Sequence, residues 1–206
     1  HTRSSSDWSS DVCSSDLKDM DGNIVTTWVS TDEPHRVTGL HFGESYTLTE
    51  IRAADGYALA DNITFRLIQR TDEGGNPLEE CEVYYLPTKN ILFWKWDDWR
   101  LLDDATVIMR DDNTKVQITK KDLTTKEELP GAELTLTDEK GNEIDRWVST
   151  DAPHYMERLP AGKYTLTEVT APDGYAIAER VEFEVLPTGE VQTFDMFDDT
   201  FKVKIS

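Results

Sequence analysis

Cysteine is scarce in this chain: Cys13 and Cys81 are the only two in 206 residues. Two thiols cannot build a disulfide framework, so stability must come from elsewhere. Positive charge is also short, with 21 Lys and Arg against 41 Asp and Glu and a net charge of −20. That balance argues against nucleic acid, whose phosphates need a basic face, and against an anionic membrane surface. No run approaches the ~20 apolar residues of a membrane helix, so no membrane contact is expected. Ser-His-Asp order, a phosphate loop and a Gly-rich fingerprint are all missing, and no substrate turnover is expected. The four histidines and two cysteines form no cluster in sequence, so neither a metal nor a cofactor is expected. The chain opens at His1 without a signal peptide and reads as a fragment. What is present is 37% hydrophobic and 10% aromatic residues, too patterned for a disordered acidic tail.

Residues 1–16 repeat Ser-Ser-Asp three times with almost no apolar residues. They read as a disordered, non-native Ser-rich segment and are set aside, Cys13 with them.

The remainder is one unit written twice. WVSTD occurs at 28–32 and 147–151, YTLTE at 46–50 and 164–168, and Asp-Gly-Tyr-Ala at 55–58 and 173–176. Met109-Arg110-Asp111-Asp112 matches Met196-Phe197-Asp198-Asp199, and the run from Lys115 matches the run from Lys202. The spacing is 118 residues at YTLTE but 87 at the Met blocks, so the first copy carries about 31 extra residues within 60–105. The expected domains are 17–114, lacking its first strand and holding the insertion; 115–201, complete; and 202–206, the start of a third repeat.

Segments 116–120, 134–137, 164–168 and 181–185 alternate with period 2, and turn residues separate them. No amphipathic helix is visible. The expected fold is all-β: two tandem antiparallel β-sandwiches, prealbumin- or immunoglobulin-like, the first incomplete.

Three stripes end in ionisable groups. Val116, Ile118 and Lys120 share a face, as do Tyr164, Leu166 and Glu168, and Phe194, Met196 and Asp198. Burying a lone charge is costly, so the three groups should meet. One outcome is a buried ion network with a protonated carboxyl. The other is covalent: a dry site favours neutral amine and neutral carboxyl, and proximity promotes amide formation with loss of water. The first copy offers Glu50 and Asp111 in phase but no lysine; Lys18 aligns with Thr137, on the outward face.

Ile118-Thr119-Lys120-Lys121-Asp122, Leu129-Pro130-Gly131-Ala132, Gly162–Glu168, Ala171–Tyr175 and Met196-Phe197-Asp198 together resemble the SpaA/Cna-B-type domains. These are prealbumin-like modules of Gram-positive pilins and adhesins. The resemblance implies a sandwich of roughly seven strands and a spontaneous isopeptide bond. In it Lys120 would be nucleophile, Asp198 acceptor and Glu168 promoter. Glu50 and Asp111 would be vestigial. Many members use Asn as acceptor; here no Asn follows Asn142, so water would leave. The implied role is a self-cross-linked stalk module at the cell wall, outside the cell, with neighbouring repeats as partners.

Trp94, Trp96 and Trp99 in the insertion suggest a second role, an aromatic platform for a glycan or host matrix protein, against simple packing under a hairpin. A third is an accessory binding module of a secreted carbohydrate-active enzyme. Leu186-Pro187-Thr188-Gly189 lacks the spacer of a sortase signal and reads as a turn. Asp19–Asn23 lacks the Gly and Glu placement of a calcium loop and also reads as a turn.

Overall fold

The computed structural model describes residues 12–86, 99–102 and 105–201. They fall into two compact units. One comprises the chain up to Ala54 together with Leu59–Asp112, and the other Asp55–Ala58 together with the chain from Asn113 on. Among the described residues every regular element is a strand, and no helix is long and apolar enough to cross a membrane.

The second unit is a sandwich of seven strands: β7 (Lys115–Asp122), β8 (Glu133–Asp138), β9 (Glu143–Val148), β10 (His154–Glu157), β11 (Gly162–Thr170), β12 (Val181–Val185) and β13 (Val191–Asp198). One sheet runs β10-β7-β13 and the other β12-β11-β8-β9. The inward stripes read from the sequence fill the space between them. Val116, Ile118, Leu134, Leu136, Leu166 and Met196 are buried in one apolar cluster, with Phe194 and Phe183 stacked at 4.0 Å beside it. One pairing departs from the antiparallel expectation. The first and last strands, β7 and β13, run parallel, with Ile118 opposite Phe194 and Lys120 opposite Met196. β12 lies in the opposite sheet, so the chain crosses over before β13 begins and no tight hairpin holds β13 antiparallel to its partner.

The first unit shows a single antiparallel sheet of β1 (Ser14–Lys18), β2 (Ile24–Val29), β3 (Ser45–Arg52), β4 (Ile63–Thr71), β5 (Pro77–Leu86) and β6 (Arg100–Leu102), ordered β2-β1-β3-β4-β5-β6. Among its described residues nothing corresponds to β7, and the segment before Asp111 forms no strand. The insertion adds β5 and β6 to the sheet edge; its residues 87–98 lie outside the described residues. So do 202–206, where a third repeat was expected.

The reading of residues 1–16 as disordered is corrected where the structure describes them. Ser14, Ser15 and Asp16 belong to β1 and pair with both β2 and β3. Ser15 and Asp16 are buried, and Asp16 accepts a hydrogen bond from the Thr27 hydroxyl at 2.6 Å. Main-chain pairing on two sides needs no apolar side chains, so composition could not reveal it. Residues 1–11 lie outside the described residues.

One turn is used three times. In Asp138–Asn142 the Asp138 carboxylate accepts from the amides of Lys140 and Asn142 and from the Asn142 side chain, at 2.8–2.9 Å. Gly141 sits at φ +82°, where an L side chain is strained. Asp19–Asn23 and Asp72–Asn76 repeat the pattern. The Asp19 carboxylate is thus engaged by its own turn, in line with a turn rather than a calcium loop. Gly141→Ala should cost about 1 kcal/mol, read as a lower denaturant midpoint with unchanged slope.

Pro34-His35 and Pro153-His154 occupy matching positions in the two copies. His154 stacks on Trp147 at 4.2 Å and His35 on Trp28 at 4.4 Å, and His154 Nε2 lies 2.8 Å from Asp145. Leu186–Gly189 forms the β12–β13 turn: Thr188 donates to the Leu186 carbonyl at 2.8 Å, and the Gln192 side chain brackets Leu186.

Candidate functional site

Lys120, Glu168 and Asp198 come together between the two sheets of the second unit. Each is carried inward by the phase of its strand: Lys120 near the end of β7, Glu168 on β11 and Asp198 at the end of β13. They are 2%, 4% and 1% exposed. Lys120 Nζ donates to Asp198 Oδ1 and lies 3.1 Å from Glu168 Oε1. Glu168 Oε2 accepts from the Ala178 amide at 2.6 Å. Glu168 Oε1 and Asp198 Oδ2 are buried without a well-aligned hydrogen-bond partner among the described residues.

The main chain fixes these positions. Lys120 donates its amide to Glu128 at 3.2 Å, and its carbonyl accepts from Leu129 at 2.6 Å. The Asp198 carbonyl accepts from the Leu123 amide at 2.8 Å, tying the end of β13 to the turn after β7. Asp122 is occupied by Tyr175, Thr124 and Thr125. Lys121 and Asp195, out of phase with the inner face, pair with each other at 2.9 Å in a more open setting, and Asp195 also accepts from the Thr119 hydroxyl.

Burial pushes the Glu168 carboxyl above its ordinary range. The Ala178 amide and Lys120 oppose this, and the neighbouring Asp198 reinforces it. The site therefore favours a protonated carboxyl next to an amine and a second carboxyl, which is a proton donor beside a nucleophile and an acyl group.

In the first unit Glu50 is 5% exposed and accepts from the Ala60 amide at 2.8 Å, repeating the Glu168–Ala178 contact. Asp111 comes to the same place, and Cys13 joins them: their ligand atoms lie within 4.8 Å of one another. Sequence pattern does not reveal this cluster, because the three residues are remote in the chain and Cys13 lies in the Ser-rich segment. Lys18 sits opposite Thr47, as Thr137 sits opposite Thr165; it does not take the place of Lys120. Of the insertion's tryptophans, Trp94 and Trp96 lie outside the described residues. The Trp99 ring carries the Arg66 guanidinium at 4.4 Å.

The family model of the SpaA prealbumin-like fold domain matches residues 114–200. No curated protein matches the chain. Among solved structures, the Bacillus anthracis TIE protein is 22% identical, with a TM-score of 0.44, over 92% of this chain and 31% of its own. The shaft pilin SpaA of Lactobacillus rhamnosus GG is 13% identical, with a TM-score of 0.38, over 94% of this chain and 89% of its own. The C-terminal fragment of the pilus adhesin SpaC from the same organism is 16% identical, with a TM-score of 0.41, over 94% and 91%. The chain thus spans about a third of the TIE protein's length. The two-sheet sandwich of the second unit occupies the span that this family model matches, and there the chain is similar to a SpaA-type prealbumin-like domain.

Proposed function

We propose that the second unit is a structural stalk module of a bacterial surface adhesin or pilus, closed by an isopeptide bond between Lys120 and Asp198. The observation that carries this reading is the Lys120 amine held between two carboxyls, all three groups almost fully buried. Proton transfer within the Lys120–Asp198 pair yields a neutral amine and a carboxylic acid. Nζ attacks Cγ of Asp198, the C–O bond to one carboxyl oxygen breaks, and the amide forms. Glu168 delivers a proton to the departing oxygen and accepts one from the nitrogen, so a single water leaves and Glu168 ends as it began. The reaction happens once per chain and turns over no substrate.

The product ties the first strand to the last. Tension between the two chain ends then passes through the cross-link, and the strands between residues 120 and 198 carry none of it. Such modules in series make a stalk exposed at the surface of a Gram-positive cell. Peptide mapping tests the chemistry: a branched peptide joining the segments around Lys120 and Asp198 is expected, and two separate linear peptides would refute it. Antibody against residues 115–201 should label intact cells of the source bacterium if the location is right.

Acid–base behaviour gives a separate prediction. The elevated pKa keeps Glu168 protonated to higher pH than an ordinary Glu. Once ionised it can no longer donate to the leaving oxygen. For chain refolded from an unfolded, unlinked state, the rate of bond formation should fall as pH rises through the raised Glu168 value. A rate that is flat or rising there would remove Glu168 from the proposed role.

A further inference from the structure

The first unit repeats the carboxylate pair of the second without its ammonium. Glu50 Oε2 is satisfied by the Ala60 amide, but Oε1 is buried and without a well-aligned hydrogen-bond partner among the described residues. The groups facing it are the Asp111 carboxylate and the Cys13 thiol, all three ligand atoms within 4.8 Å. Cys13 also donates to the Ser30 hydroxyl at 2.8 Å. In the second unit the matching carboxyls close around Lys120 Nζ; among the described residues no positive group takes that place in the first unit.

We propose that Cys13, Glu50 and Asp111 bind a divalent cation of zinc type, held by Cys13 Sγ and one oxygen from each carboxylate. The donor set selects the ion: a thiolate disfavours calcium and magnesium, and one sulfur with two oxygens suits zinc. Zinc–sulfur and zinc–oxygen bonds of about 2.3 and 2.1 Å place ligand atoms about 3.5 Å apart in a tetrahedron. Atoms already within 4.8 Å reach that spacing by side-chain rotation, for which the exposed Asp111 has room. Water completes the coordination. Binding releases the thiol proton to solvent, and the ion with one thiolate and two carboxylates carries a net −1, the same as a lysine ammonium between two carboxylates. The metal would join the chain before β1, the end of β3 and the segment at Asp111, a reversible tie at the place where the second unit has its lysine.

Titration of the full chain with cadmium and with zinc, after chelator treatment, tests this. One equivalent of cadmium should produce a thiolate-to-metal charge-transfer band that persists in Cys81→Ala and vanishes in Cys13→Ala. Zinc affinity should fall at least about tenfold in Glu50→Gln and in Asp111→Asn, with unchanged far-ultraviolet circular dichroism. If Glu50→Gln fails to fold, the exposed Asp111 decides. A band that survives in Cys13→Ala, zinc affinity indifferent to Asp111→Asn, or binding no tighter than that of scattered surface carboxylates would each overturn the proposal. The outcome is independent of the Lys120 chemistry, which intact mass reads separately.

Discussion

Purified chain should weigh one water less than its sequence requires, with no added enzyme or cofactor. The deficit should disappear in Lys120→Ala, Asp198→Ala and Glu168→Ala. Lys120→Arg should abolish it while leaving a cation beside both carboxyls, because a guanidinium stays protonated and is no nucleophile. That variant separates chemistry from electrostatics. A wild-type mass equal to the sequence value would reduce the site to a buried ion network, the first of the two outcomes open at the level of sequence. Glu50→Ala and Asp111→Ala should leave the mass deficit unchanged, since the first unit supplies no amine at the Lys120 position.

The second large effect is on stability. An isopeptide between residues 78 apart closes most of the domain into a loop, and the chain-entropy relation for cross-links gives about 4.5 kcal/mol for a loop of that size. For a domain of this length that corresponds to a melting temperature higher by roughly 20 °C or more. Glu168→Ala should lose this increment, since it retains the Lys120–Asp198 pair without the bond. Lys120→Ala should lose more, because removing the amine also leaves Glu168 and Asp198 buried without a cation, at a further cost of about 3–5 kcal/mol. Scanning calorimetry of wild type and the two variants gives the order. Equal melting temperatures for wild type and Glu168→Ala would show that no covalent tie exists.

Much of this site could be read from side-chain phase alone. Lys120, Glu168 and Asp198 each sit at an even step from buried apolar residues on their own strands, and in the structure all three are inward and in contact. Lys121 and Asp195, one step out, pair with each other elsewhere. The phase rule works because a strand has only two faces, so one wrong-sided charge is conspicuous. Relations across the fold were less legible. The parallel pairing of β7 with β13 depends on which sheet β12 joins, and alternation carries no information about that. The strand character of Ser14–Asp16 is supplied by its partners β2 and β3, not by its own composition. The meeting of Cys13 with Glu50 and Asp111 is a tertiary event among residues that share no local pattern.

The parallel run of β7 beside β13 has a mechanical corollary. A force drawing Lys115 and Asp198 in opposite directions slides the two strands past each other instead of peeling them apart. All rungs from Lys115–Val191 to Asp122–Asp198 are then loaded together rather than one after another. Tension between those two ends is therefore resisted by shear, which keeps the Lys120 amine and the Asp198 carboxyl in register under load.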